Sequence, residues 1–118
     1  MPRASHPFGD SYPVILEALE HSNIDQLALE IEASKLGPEL LGPCPSKAVM
    51  FECIDNSIEE VETPGHVADQ LLGAAKYKSA EQIQAAPNCG VVLPSLDIAR
   101  AKLWAMVEGA QLARECLE

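Results

Sequence analysis

The sequence has 118 residues, of which 47% are hydrophobic and 22% charged, a composition typical of one globular domain and not of a disordered chain. Its formal net charge of -10 repels nucleic acid and anionic membranes, and no apolar run reaches the roughly 18–20 residues that cross a bilayer. We therefore expect neither a nucleic-acid partner nor a membrane partner.

The first half of the chain predicts one helix and two strands. Asp10 or Ser11 can cap a helix, and a strand is predicted over residues 23–32. A short helical piece over residues 34–43 follows, interrupted by a Gly-Pro pair. The second strand, residues 47–55, is continuously apolar, as buried parallel strands are.

The second half continues the alternation. Thr63 can cap a helix, residues 81–87 predict a third strand, and Ser95 can cap a long last helix. A helix followed by three strand–helix units is typical of an α/β protein with a parallel sheet and right-handed crossovers.

The ends of the predicted strands carry side chains that can bind metal or take part in catalysis. In chain order these pairs are Glu30 and Glu32, Cys53 and Asp55, and Asn88 and Cys89. Function in parallel sheets gathers at the carboxyl ends of the strands, and a carboxylate beside a thiol can form part of a zinc site. The alternative is that Glu30 and Asp55 are solvated and that Cys89 is a small buried apolar residue.

Four segments, taken together, resemble the cobalamin-independent methionine synthase family. The segment "APNCGVVL" and the later "AMVEGAQLAR" resemble the family's N-P-D-C-G-L and the helix after it. The segment "IDQLALEIEAS" resembles its D-V-I-T-I-E strand, and "FECIDNSIEEVETPGHVAD" resembles its G-V-x-D-x-x-S-x-x-V-E-[ST] segment. The segment "FGDSYPVILEAL" resembles the helix after the family's first metal motif. The order and spacing match, so residues 1–118 are interpreted as a single partial domain.

The resemblance implies a fold and an activity. The fold is a (β/α)8 TIM-type barrel, of which this chain resembles the C-terminal half, roughly the last three to four βα units. The activity is that of an S-methyltransferase of the 5-methyltetrahydropteroyltriglutamate–homocysteine type, which serves methionine biosynthesis. A zinc ion binds the thiol of homocysteine as a thiolate, which attacks the methyl group of a methylated folate.

The family's zinc ligands are an H-x-C pair, a strand-end glutamate and a late cysteine. The resemblance places Glu30 and Cys89 on the last two, and Asp55 on a shared aspartate that is the candidate catalytic residue. The H-x-C pair has no complete match. Aligned on "FGD", its two residues fall on Ser5 and Pro7, whereas a one-residue shift supplies His6 but no cysteine. His6 is therefore the third candidate metal ligand.

Two further departures keep a second function open. The family's proton-donating histidine falls on Ser57, and Cys53, which has the strand parity of Asp55, is a candidate replacement for the missing thiol ligand. The alternative function is a truncated or degenerate non-catalytic relative that keeps the fold but not the full metal site. On either hypothesis this chain alone can be inactive.

Several expectations concern surroundings and assembly. A partial barrel leaves its inner sheet face uncovered, and we expect that face to carry Leu27, Leu29, Val49 or Met50, and Phe51. The chain should therefore self-associate or require a missing N-terminal half-barrel.

The first ten residues lack the apolar core of a signal peptide, so we expect a cytoplasmic protein with reduced cysteines. His21, His66 and the loop 59–62 should be solvated, and Trp104 should pack in the protein.

Overall fold

The computed structural model describes residues 12–31, 36–88 and 95–117. Its helices are α1, Tyr12–Glu20, α2, Pro64–Ala74, and α3, Leu96–Leu117, and its strands are β1, Gln26–Glu30, β2, Ala48–Ile54, and β3, Ile83–Pro87. Short 3-10 turns occupy Pro38–Leu41 and Ala80–Gln82. Among the described residues, no helix is both long and apolar enough to cross a bilayer.

The three strands form one parallel sheet in the order β1-β2-β3. Leu29 lies beside Phe51 across the first pair, and Phe51 lies beside Ala85 across the second. Because β1 and β2 are each followed by a crossover to a parallel neighbour, the predicted α/β class is confirmed. That this sheet is part of a (β/α)8 barrel stays a prediction.

The helices α2 and α3 begin where the sequence predicts, whereas the caps predicted for α1, Asp10 or Ser11, lie outside the described residues. Thr63 Oγ1 accepts a hydrogen bond from the His66 backbone N–H at 3.1 Å, and Ser95 Oγ accepts one from Ile98 N–H at 3.4 Å. Both side chains satisfy amide groups that the first helical turn leaves without partners. The caps predicted at Thr63 and Ser95 are therefore confirmed.

Two strand boundaries differ from the prediction. β1 begins at Gln26 and not at residue 23, because residues 21–23 form a turn and bend after which Ser22 Oγ accepts a hydrogen bond from Ile24 N–H at 3.2 Å. β3 begins at Ile83 and not at residue 81. There, Gln82 Oε1 accepts a hydrogen bond from Ser79 N–H at 3.0 Å, which holds the preceding residues in a 3-10 turn.

All three helices contribute to one hydrophobic core on one face of the sheet. The buried side chains of this core include Leu16 of α1, Val67 and Leu71 of α2, Ala113 of α3, and Leu27, Leu29, Val49 and Phe51 of the sheet. The helices α2 and α3 approach each other closely at Gly109, where an added Cβ would lie 2.5 Å from Val67 Cβ. The absence of a side chain at Gly109 is therefore what permits this contact.

The expectation about the uncovered sheet face is wrong for Leu27, Leu29 and Phe51, which are buried under the helices. Of the two alternatives Val49 and Met50, Val49 is buried, and Met50, with an exposed fraction of 38%, lies on the open face. β2 is apolar on both faces, so its alternation does not reveal which set meets the helices. The open face also carries Ala28, Glu30, Glu52 and Gln84, and is more polar than expected.

Candidate functional site

The carboxyl ends of the three strands bring the predicted strand-end residues to one edge of the sheet. Glu30 is the last residue of β1, Asp55 directly follows β2, and Asn88 directly follows β3. Parallel strands place these ends together, which is why the sequence could predict a shared edge. Two predicted metal ligands, His6 and Cys89, lie outside the described residues, although Cys89 directly follows Asn88 in the sequence.

Asp55 is buried at this edge, with an exposed fraction of 5%, and its carboxylate is held by three hydrogen bonds. Its Oδ1 accepts from Ser57 Oγ at 2.5 Å, from Ser57 N–H at 2.9 Å and from Asn88 Nδ2 at 3.2 Å. The interpretation of Asp55 as a solvated loop carboxylate is therefore wrong. Three donors on one oxygen fix the orientation of the whole carboxylate.

The hydrogen bonds keep Asp55 ionised. Burial by itself raises the pKa of a carboxyl group, but the hydrogen bonds from Ser57 and Asn88 and the charge of Lys102 outweigh it. The pKa of Asp55 is consequently lowered. At neutral pH this group accepts hydrogen bonds and does not donate a proton.

Asn88 joins the ends of β2 and β3. Its backbone N–H donates to Ile54 O at 2.9 Å, and its Oδ1 and backbone O accept hydrogen bonds from the backbone N–H and side-chain amide of Asn56 at 2.8 Å and 3.0 Å. The asparagine thus uses its backbone and both ends of its amide. It fixes the point where the chain leaves β3, one residue before Cys89.

A buried lysine of α3 holds the loop of residues 55–62, which follows β2. Lys102 of α3 is fully buried, and its Nζ donates to Asp55 O at 2.9 Å, to Glu60 O at 2.6 Å and to Glu62 Oε1 at 3.0 Å. The Glu62 side chain has an exposed fraction of 6%, and its Oε2 accepts from Asp55 N–H at 2.8 Å. The expectation of a solvated loop is therefore wrong for Glu62, because a buried charge of opposite sign lies beside it.

Glu30 lies in a different electrostatic environment from Asp55. It is exposed on the open face of the sheet, and Glu52 is its neighbour across the strand pair. Burial and then the charge of Glu30 raise the pKa of Glu52. Partial burial and the charges of both glutamates likewise raise the pKa of Tyr12. Negative charge therefore accumulates around Glu30, an environment that favours a bound cation.

The part of the chain that the structure describes contains no group of three histidine, cysteine, aspartate or glutamate side chains that could hold a metal ion. Of the predicted ligands, only Glu30 belongs to this part. Cys53 does not replace the missing thiol, because it is buried in the hydrophobic core with Phe51, and its predicted position in the barrel interior is wrong. The described donors thus fit zinc only in part.

Other candidates are also settled by their surroundings. His21 and His66 are exposed on the protein surface, as expected. Trp104 was expected to pack, but its exposed fraction is 67%. Sequence reasoning missed Lys102. The signal in the sequence is that Lys102 lies at helical spacing from the small residues Ala105, Gly109 and Ala113, and these four are the buried residues of α3.

The sequence matches no protein-family model. It is 31% identical over 107 residues to a methionine synthase of Sulfurisphaera tokodaii, a match that covers 91% of this chain and 32% of that protein. A methionine synthase of Saccharolobus solfataricus is 30% identical over 113 residues, covering 94% of this chain and 34% of that protein. The chain therefore spans about a third of the length of these relatives.

A solved structure is similar to nearly the whole of this chain. The B12-independent methionine synthase from a Shewanella species, in complex with selenomethionine, superposes with a TM-score of 0.84 and 34% sequence identity. The superposition covers 94% of this chain and 33% of that one. Sequence and structure thus point to the same relatives.

Proposed function

Since the chain belongs to the B12-independent methionine synthase family, which it matches over about a third of its relatives' length, we propose that it supplies part of a methyl-transfer active site. The reaction is transfer of a methyl group from a methylated folate, or a related donor, to a thiol such as homocysteine. The observation that carries the proposal is the placement of Glu30, Asp55 and Asn88 at the carboxyl ends of three neighbouring parallel strands, where Asn88 contacts Asp55.

The proposed architecture is the last three to four βα units, roughly, of a (β/α)8 barrel. Its interior would be the open sheet face that carries Glu30 and Glu52. A barrel of this type needs about eight strands, and the described part of the chain has three. On this proposal, the remaining strands belong to polypeptide that corresponds to the part of the relatives that this chain does not cover.

The proposed metal ligands are Glu30, Cys89 and His6. When bound, zinc would lower the pKa of a coordinated thiol so that its sulfur is nucleophilic at neutral pH. Glu30 suits this role by position, because it ends a strand, is exposed and lies in negatively charged surroundings. A thiol ligand has to stay reduced, so we place the protein in the cytoplasm.

Asp55 is the proposed substrate-orienting acceptor. Its lowered pKa keeps it charged, and because Oδ1 is used by Ser57 and Asn88, a substrate N–H or O–H group would bind at Oδ2. Ser57 lies where the family resemblance places a proton donor. A serine hydroxyl does not titrate near neutral pH as an imidazole does, so Ser57 positions Asp55 and the proton comes from another source.

The alternative is a non-catalytic relative. It is favoured by one specific observation: no register supplies both residues of the family's H-x-C pair, so residues 5–8 contribute at most His6. A site with Glu30 and Cys89 alone would bind zinc weakly, because zinc sites in proteins use three or four protein ligands. The two functions differ in whether Cys89 binds metal.

Cobalt(II) binding separates them. Titration of the protein with Co²⁺ should produce thiolate-to-cobalt charge-transfer absorption that is lost in Cys89→Ser. The matched control is Cys116→Ser, because Cys116 is an exposed cysteine near the end of α3. Equal absorption in the two variants would reject Cys89 as a ligand and favour the non-catalytic relative.

A further inference from the structure

The end of β2 departs from the regular register of the sheet. Between Glu52 and Ile54 the pairing with β3 shifts by one residue, so two steps along β2 match one step along β3. A bulge of this kind redirects the side chains that follow it and is common next to active sites. In a regular register Asp55 would come opposite Cys89, whereas the shift brings it opposite Asn88.

The shift also interrupts the alternation of side chains along β2. In a regular strand, residues two apart point the same way, so Cys53 and Asp55 would share a face. Instead, the adjacent residues Cys53 and Ile54 both lie in the hydrophobic core. The strand parity of Cys53 therefore does not predict the direction of Asp55, whose carboxylate contacts Ser57 and Asn88.

The link between Asp55 and β3 is made by side chains. The backbone N–H and carbonyl of Asp55 are engaged by Glu62 and Lys102. Asn88 has an exposed fraction of 8%, and its Nδ2 donates to Asp55 Oδ1 at 3.2 Å. An aspartate at position 88 would lack this donor and would place a second negative charge beside Asp55. The contact therefore requires the amide and not only the shape of the side chain.

The oxygens of Asn88 hold the start of the segment that contains Cys89. The Asn88 carbonyl belongs to the planar peptide unit that joins Asn88 to Cys89. This carbonyl accepts a hydrogen bond from Asn56 Nδ2 at 3.0 Å, and Asn88 Oδ1 accepts one from Asn56 N–H at 2.8 Å. Asn88 is thus tied to Asp55 through its amide nitrogen and to Asn56 through both of its oxygens.

We propose that Asn88 is a positioning residue that couples Asp55, the proposed substrate acceptor, to Cys89, the proposed metal ligand. A change at the Asp55 carboxylate alters its contact with Asn88, and a change at Asn88 passes along the backbone to Cys89. Because coupling between sites is reciprocal, occupancy at either residue favours the same arrangement of the other. The inference rests on the proposed function, since both end points take their roles from it.

Nuclear magnetic resonance of the metal-free full chain tests the link itself. Asp55→Ala should change the chemical shift of the Cys89 backbone amide, because the contact between the Asp55 carboxylate and Asn88 is lost. In the Asn88→Ala background, the same substitution should change that shift at least about threefold less, since double-mutant cycles isolate a pairwise link. The Asn88→Asp background should give the same reduction, because it keeps the acceptors for Asn56 but lacks the donor.

Cobalt(II) binding tests the consequence for the metal ligand. The Co²⁺ dissociation constant, measured from the thiolate-to-cobalt absorption, should rise at least about fivefold in both Asn88→Ala and Asn88→Asp. The matched control is Gln84→Ala, which removes a different side-chain amide of β3. Gln84 accepts a hydrogen bond from Gln26 at 3.0 Å near the start of the strand, and its loss should leave the constant within about twofold.

Two results would overturn the proposal. The first is an effect of Asp55→Ala on the Cys89 amide that is equally large with and without Asn88. The second is a Co²⁺ dissociation constant that is the same in Asn88→Ala, Asn88→Asp and Gln84→Ala. If Asn88→Ala does not fold, Asn88→Asp carries both measurements. Absence of thiolate-to-cobalt absorption in the wild type would reject the proposed metal function, while the amide shifts, which need no metal, would still decide the role of Asn88.

Discussion

Replacement of Lys102 by methionine should destabilise the protein strongly. The Lys102–Glu62 pair has side-chain exposed fractions of 1% and 6%, and Lys102 also satisfies the carbonyls of Asp55 and Glu60. Removing one partner of such a pair leaves a buried charge without compensation, which costs about 3–5 kcal/mol. That is a large share of the roughly 5–15 kcal/mol of free energy that separates a folded domain from its unfolded state.

Urea unfolding followed by far-ultraviolet circular dichroism measures this loss. With a slope of about 2 kcal/mol per molar urea, the midpoint should fall by about 2 M or the cooperative transition should disappear. The matched control is Lys76→Met, because Lys76 is exposed and its replacement should change the unfolding free energy by less than about 0.5 kcal/mol.

A second variant isolates the buried charge. Lys102→Met combined with Glu62→Gln should recover part of the loss, because glutamine is neutral yet can still accept a hydrogen bond from Asp55 N–H. Equal midpoints for Lys102→Met and Lys76→Met would refute the reasoning, since they would show that the buried network does not stabilise the loop.

Three other variants test the packing, the capping and the titration. Thr63→Ala should lower the unfolding free energy by about 1 kcal/mol in thermal melts, because the cap of α2 is lost, and Thr63→Ser should restore it. Gly109→Ala should destabilise by about 1–3 kcal/mol, because its Cβ would lie 2.5 Å from a neighbouring side chain, whereas Gly65→Ala, which meets nothing within 4 Å, should be neutral or stabilising. The pKa of Asp55 is lower in the folded state than its unfolded value of about 3.9, so the group stabilises the fold above that value. In chemical denaturation, the stability difference between the wild type and Asp55→Asn should be full near about pH 6 and should vanish as the pH falls through the folded pKa.

The parallel α/β architecture could be predicted because its signals are local. The structure confirms the strand predicted from the apolar run 47–55 and the helix starts predicted at Thr63 and Ser95. Each of these signals depends on residues that are close together in the sequence. The shared edge of Glu30 and Asp55 also followed, because parallel strands bring their carboxyl ends together.

The orientation of the sheet and the buried network could not be predicted in the same way. Which face of β2 meets the helices depends on tertiary packing, and the prediction that Phe51 lies on the open face is wrong for that reason. The burial of Glu62 depends on Lys102, which is 40 residues away in the chain. Trp104 is exposed because no other described element covers it, and that depends on tertiary packing and not on the local sequence.

Zinc retention in the presence of homocysteine tests the central claim most directly. The protein is equilibrated with zinc, with and without homocysteine, and its bound metal is measured after gel filtration. We predict zinc retention that homocysteine increases, because its thiol would add a ligand to the proposed set of Glu30, Cys89 and His6. The increase should be absent in Cys89→Ser and Glu30→Gln and should persist in Cys116→Ser. Equal retention in the wild type, Cys89→Ser and Glu30→Gln would contradict the account.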